Sequence, residues 1–336
     1  VKRIVIVFWV LLVGLVNQTT GYAQADTRPI LDEDARYIEV DGLSIYLIER
    51  GPVDGLPVVL LHGFGGSVFT WRYTIDPLAQ AGYRVVAFDR PPYGLSDKTP
   101  DVVWSGTAYA DLTVGVLDAL DIEAAVLVGH SAGGGVTAEV MALYPERVLG
   151  AVFAAGAVLT GDESVDGWMR RQEEARGGDS GGIGGVMANL RGIDPRSPLA
   201  QAGVRAILTP QRFADVLTSA YYSPESVPAD AVEGYGRPLT VPGWEAAFLS
   251  ILTGGGMSEP VYGAELWAQV DVPVLLLWGE EDTWVSFDIA QALLARIEGA
   301  ELVSYPQTGH IPMEERPEAF SADLLDWLSR SFDQNG

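Results

Sequence analysis

From residue 37 onward, short and wholly apolar runs alternate with longer stretches whose apolar residues recur at helical spacing. Residues 37–40 and 43–49 read as strands on either side of Asp41-Gly42, and Asp-Gly between such runs predicts a tight hairpin. Runs at 57–61 and 84–88 follow, separated by a helix-length segment holding Trp71, Leu78 and Ala79. A helix over 107–120 leads into a β-branched run ending at Val128, and 148–154 forms another strand. Strands that are apolar on both faces and separated by helices predict a mostly parallel sheet covered on both sides. The rhythm stops after Ala157. Residues 158–270 hold helical pieces such as 198–219 and a glycine-rich patch at 177–185, too long a stretch for a plain loop, which predicts a helical insertion. The rhythm returns with a strand at 272–278, a helix at 287–297, a strand at 300–305 and a last helix from Pro317 to about residue 331, where proline suits a first turn.

The N-terminal stretch has a different character. Lys2 and Arg3 precede an apolar segment over 4–16, and a polar region ends in Ala23-Gln24-Ala25. A charged start, a short apolar core and an A-x-A site describe a secretory signal peptide cut before Asp26. The apolar segment is short for a membrane span, which needs roughly 20 residues. The expected organisation is therefore a signal peptide at 1–25, a core at 26–157, a helical cap at 158–270 and the rest of the core at 271–336. The expected location is secreted or periplasmic, as in a bacterial cell, with no stable membrane anchor once the signal is removed.

Charge and cysteine narrow the possible functions. The chain of 336 residues carries 45 acidic and 21 basic residues, a formal net charge of −24. Removing Lys2 and Arg3 leaves 19 basic residues, which argues against nucleic acid or an anionic membrane as a partner. With no cysteine there is no disulfide, thiol nucleophile or thiolate metal site.

The chemistry centres on Gly129-His130-Ser131-Ala132-Gly133, which lies between an apolar strand and a stretch of small residues opening a helix. Such a turn lifts a serine hydroxyl off the sheet beside backbone N–H groups at a helix start. Serine needs a base, and the chain has only three histidines. His130 neighbours Ser131 along the strand, where alternation turns it to the other face. His62 begins His62-Gly63-Phe64-Gly65-Gly66, a loop of the kind that supplies an oxyanion N–H. His310, in Gly309-His310-Ile311-Pro312 between the last strand and the last helix, is left as the base. The orienting acid falls between serine and base in chain order. Asp282, at the exit of the strand ending in Trp278-Gly279, is preferred to Asp162 at the start of the insertion. The oxyanion donors are the N–H groups of Phe64 and Ala132. Trp168 and Trp244 are candidate substrate contacts in the insertion, where Trp267, Trp284, Tyr221 and Tyr222 also lie in or near it. No cofactor and no metal is required.

Taken together, these segments resemble the α/β-hydrolase fold in its capped, esterase- and lipase-like branch. Phe88-Asp89-Arg90-Pro91-Pro92-Tyr93-Gly94-Leu95-Ser96-Asp97 adds to the match as the turn after the fourth strand, with a structural Asp89. The resemblance implies an eight-stranded sheet with one antiparallel strand, a lid inserted after the sixth strand, and a triad of Ser131, Asp282 and His310. The expected substrate is a small ester with an apolar acyl group. Haloalkane dehalogenases and epoxide hydrolases carry aspartate where Ser131 stands. A carbon–carbon bond hydrolase or a cofactor-free haloperoxidase on the same triad stays open, as does a non-catalytic binding module on the same scaffold.

Overall fold

A computed structural model describes residues 30–167, 194–253 and 260–332. The signal-peptide expectation, the glycine-rich patch and Trp168 lie outside the described residues. Among the described residues eight strands form one sheet: β1 (Ala35–Val40), β2 (Leu43–Arg50), β3 (Pro57–Leu61), β4 (Arg84–Phe88), β5 (Ala125–His130), β6 (Val148–Ala154), β7 (Val274–Gly279) and β8 (Glu301–Tyr305). Their order across the sheet is β1-β2-β4-β3-β5-β6-β7-β8. Only β2 runs against the others, pairing antiparallel with both β1 and β4. The hairpin between β1 and β2 turns on Asp41 and Gly42, both at positive φ (51° and 78°), as a two-residue Asp-Gly turn requires.

The central strands are buried on both faces because their side chains alternate between two apolar layers. Val59, Leu61, Leu127 and Phe153 join one layer, and Val58, Leu60, Val128 and Val152 join the other. Helices α1 (Ile75–Gln80), α2 (Gly106–Ala119) and α3 (Ala132–Leu143) connect strands of the first half. Each fully buried Val, Leu or Phe stabilises the fold by about 1.5–3 kcal/mol.

Between β6 and β7 the described residues form a run of helices: α4 (Pro198–Ile207), α5 (Pro210–Thr218), α6 (Ala231–Gly236), α7 (Trp244–Thr253) and α8 (Ala264–Trp267). The single helical piece expected over 198–219 is two helices. Pro210 has no N–H to continue the first, and Thr209 caps the second by accepting from the Arg212 N–H at 3.3 Å. Helices α9 (Phe287–Arg296), α10 (Pro312–Glu315) and α11 (Pro317–Phe332) follow in the second half of the core.

The strand order sets where a site can form. From β3 the chain crosses toward β4, and from β5 it crosses the opposite way toward β6. The carboxyl ends of β3 and β5 therefore flank the point where the winding reverses, which opens a crevice between the loops that follow them. Those loops begin at His62 and Ser131.

Candidate active site

Ser131 sits at φ 51°, ψ −123° between the end of β5 and the start of α3. A non-glycine residue at positive φ is strained, and such strain collects at functional turns. The turn is held by its backbone: Ser131 N–H donates to the Ala154 carbonyl at 3.1 Å, and the Ser131 carbonyl accepts from Gly134 and Ala157, both at 2.8 Å. Glycine at 133 is required by proximity, since a Cβ there would lie 2.2 Å from the Leu61 carbonyl oxygen. The close approach brings the helix start against the end of β3. Ala132 is the first residue of α3, where N–H groups have no partner within the helix. The Phe64 N–H makes no backbone hydrogen bond among the described residues. A Cβ on Gly63 would come within 2.9 Å of the Ser131 Cβ, so the two loops stand side by side.

Asp282 and His310 meet directly. Nδ1 of His310 lies 2.8 Å from Oδ2 of Asp282, with both side chains buried. The second oxygen of Asp282 accepts the N–H groups of Trp284 (2.7 Å) and Val285 (2.9 Å), which fixes the carboxylate in its loop. The loops carrying acid and base are laced together: Glu281 N–H donates to the Thr308 carbonyl and Thr308 N–H returns to the Glu281 carboxylate, each at 3.1 Å. Asp162 is elsewhere engaged, accepting from the N–H and hydroxyl of Ser164 and facing Arg296 at 3.7 Å.

The His310 backbone is clamped from two sides. Its N–H donates to the Ala220 carbonyl at 2.7 Å, and its carbonyl accepts from Nε2 of His130 at 3.0 Å. Strand alternation gave no hint of this role for His130, because alternation ends where the chain turns at Ser131. The His130 ring lies 4.9 Å from the His310 ring. Burial, reinforced by the neighbouring His310, pushes His130 down to about 3, so it is neutral at ordinary pH. His62 is also buried and is held well below its usual value, chiefly by burial and then by the Arg90 charge. Its Nδ1 donates to the Gly63 carbonyl at 2.8 Å and its Nε2 accepts the Arg90 N–H at 3.0 Å.

Three further residues bear on the site: the sequence offered Trp284 only as one of several aromatic residues for an acyl pocket, and gave Glu314 and Glu315 no role. The Trp284 indole stacks on His310, with centroids 5.4 Å apart and planes at 26°, and its N–H donates to the Ser219 carbonyl. Glu315 accepts N–H groups from Gly309 and from Tyr222, both at 2.8 Å. Glu314 is fully buried and takes the Tyr221 hydroxyl at 2.6 Å, the Tyr235 hydroxyl and the Arg72 guanidinium at 2.8 Å. The only available signal was the acidic pair four and five residues after His310.

Trp244 is half-buried at the start of α7, next to Gly243, which lies against Lys98. Trp267 is core, donating to the Leu159 carbonyl. Asp89 is fully buried and accepts the N–H groups of Val68 and Leu95. Burial raises it to about 6, against the lowering pull of those donors. Among the described residues there is no cluster of metal-ligating side chains and no helix long and apolar enough to cross a membrane.

Comparison with known proteins agrees with this architecture. Residues 58–323 match the model of the alpha/beta hydrolase family. The chain is 29% identical over 293 residues to the uncharacterized hydrolase YugF of Bacillus subtilis, covering 87% of this chain and 97% of that protein. It is 28% identical to a 2-hydroxy-6-oxononadienedioate/2-hydroxy-6-oxononatrienedioate hydrolase of Paraburkholderia phymatum, covering 81% and 87%. Among solved structures it resembles Est816, described as an N-acyl homoserine lactone degrading enzyme, with a TM-score of 0.63, 25% identity and coverage of 86% and 98%.

Proposed function

The chain belongs to the alpha/beta hydrolase family, and within it we propose a serine hydrolase that cleaves carboxylic esters through an acyl-enzyme on Ser131. The observation that carries this reading is the buried 2.8 Å contact between Asp282 and His310, on a histidine whose carbonyl is tied to the residue preceding Ser131. His310 takes the Ser131 proton through Nε2 as the hydroxyl oxygen attacks the ester carbonyl carbon. The oxyanion is held by the N–H groups of Phe64 and Ala132. The carbon–oxygen bond to the alcohol then breaks, and the imidazolium returns its proton to the leaving alkoxide. Water, deprotonated by His310, attacks the acyl-serine and releases the acid. Asp282 holds the imidazole in the tautomer with hydrogen on Nδ1 and stabilises its charged form. Trp244 and Trp168 remain candidate walls for an apolar acyl group.

Wild-type protein should hydrolyse p-nitrophenyl esters and be labelled at Ser131 by a fluorophosphonate probe. Ser131→Ala should lose both, with its circular dichroism unchanged. Full esterase activity in that variant would overturn the reading, and absence of labelling in the wild type would favour a binding module. A second reading is supported by the relative named as a 2-hydroxy-6-oxononadienedioate hydrolase, which points to carbon–carbon cleavage on the same residues. Turnover of a vinylogous diketone in preference to every ester in a panel would select it.

A further inference from the structure

Arg90 is almost fully buried (1% exposed) and pairs with no carboxylate among the described residues. A buried guanidinium without a counter-charge is costly, and natural cores avoid it unless something compensates. Its surroundings are aromatic and carbonyl. The guanidinium lies over the Tyr109 ring at 4.6 Å and more distantly over Tyr93 at 5.8 Å, and its Nε has no hydrogen-bond partner among the described residues. One terminal nitrogen donates to the His62 carbonyl and reaches the Gly63 carbonyl at 3.4 Å. Burial pulls Arg90 below its usual value, yet an arginine stays charged in a protein.

The Gly63 carbonyl is the informative acceptor. It takes donors from the His62 ring at 2.8 Å, from the Gly66 N–H at 3.2 Å and from Arg90 at 3.4 Å. That carbonyl and the Phe64 N–H are the two ends of one planar peptide group. Donors on the oxygen draw electron density along the amide and make its N–H a stronger donor. They also fix the direction in which the N–H points. We propose that Arg90 is a positioning residue for the oxyanion: through the Gly63–Phe64 peptide it orients and polarises the Phe64 N–H, and its unneutralised charge lowers the energy of the negative oxygen formed in front of that N–H. This rests on the ester-hydrolase reading, in which Phe64 is an oxyanion donor. It assigns a task to a charge that the Ser131, His310 and Asp282 chemistry leaves unused.

The test compares Arg90→Met and Arg90→Gln with wild type, all in the full chain. Methionine removes the charge and every donor; glutamine removes the charge and leaves one donor for the His62 carbonyl. The readouts are kcat and KM on p-nitrophenyl butyrate, and the affinities of an alkyl trifluoromethyl ketone and its methyl ketone counterpart. The trifluoromethyl ketone binds by forming an oxyanion on serine, and the methyl ketone binds mainly as a ground-state ligand. The expected result is a fall in kcat of about 10- to 100-fold, below the loss seen when a direct oxyanion donor is removed. KM should stay within about twofold, trifluoromethyl ketone affinity should fall in step with kcat, and methyl ketone affinity should hold. A merely structural role would weaken both ketones together. Wild-type kcat in a folded variant, equal losses for both ketones, or failure of both variants to fold would each overturn the proposal. If the ester reading itself is wrong, wild type will show no Ser131-dependent turnover or trifluoromethyl ketone binding, an outcome separate from any effect of Arg90.

Discussion

At the scale of single residues, Asp282 has divided duties, and that division makes a sharp test. One oxygen receives the Trp284 and Val285 N–H groups and the other faces His310. In Asp282→Asn the amide oxygen will keep the two backbone donors, which turns the NH₂ toward Nδ1. The imidazole must then carry its hydrogen on Nε2 and can no longer accept the serine proton. Turnover of p-nitrophenyl esters should fall by about three to four orders of magnitude with KM little changed, as steady-state kinetics will show. The pairing of His310 with Asp282 was legible in the sequence because only three histidines occur and each sits in a distinct setting. The residues that hold it were not. His130 reaches the His310 carbonyl across 180 positions, and no local pattern encodes a contact of that separation. Strand alternation also fails at the one point where the backbone leaves the strand for φ 51°.

At the scale of elements, every strand and every core helix except the short α10 were legible, since buried parallel strands write themselves as unbroken apolar runs. The insertion was legible only as helical. The break between α4 and α5 was written in the sequence as Thr209-Pro210, a cap followed by a residue without an N–H, and the reading of one helical piece over 198–219 passed over it. The joint between these helices and the core is a polar one. Glu314 in α10 gathers Tyr221 and Tyr235 from the insertion and Arg72 from the core, and its burial leaves no water to replace a lost partner. Burial first, and then the Glu314 charge, raise the Tyr235 hydroxyl well above its ordinary value, so it stays protonated and donates. Removing one member of a buried charge pair costs about 3–5 kcal/mol. Arg72 keeps Asp230 as a second partner at 3.0 Å, which places Glu314→Ala near the lower end, about 3 kcal/mol, in urea unfolding.

At the scale of the whole molecule, two buried neutral histidines weaken the fold in acid. His62 and His130 both lie below the ordinary histidine value in the folded state, His130 at about 3. As pH falls through about 6.5 the unfolded chain takes up protons that the folded chain refuses, so stability drops by up to about 1.4 kcal/mol per pH unit for each. Asp89 acts in the opposite sense. Raised to about 6, it binds a proton in the folded state first, and between pH 6 and 4 it offsets one of the two histidines. Lowering the pH also relieves self-repulsion in a chain with a net charge of −24. A variant comparison isolates the histidine part. The unfolding free energy from urea titrations should fall between pH 7 and pH 5 in wild type, and more shallowly in His130→Gln. An identical slope in the two proteins would show that His130 does not contribute. The site is also shared property. Ala220 and Tyr222 belong to the stretch between β6 and β7, yet they hold the His310 N–H and the Glu315 carboxylate. In engineering terms the cap is not an exchangeable cassette: a specificity graft from a relative must retain residues 219–222 as recipient sequence, or the chimera will inherit a new pocket and misplace His310.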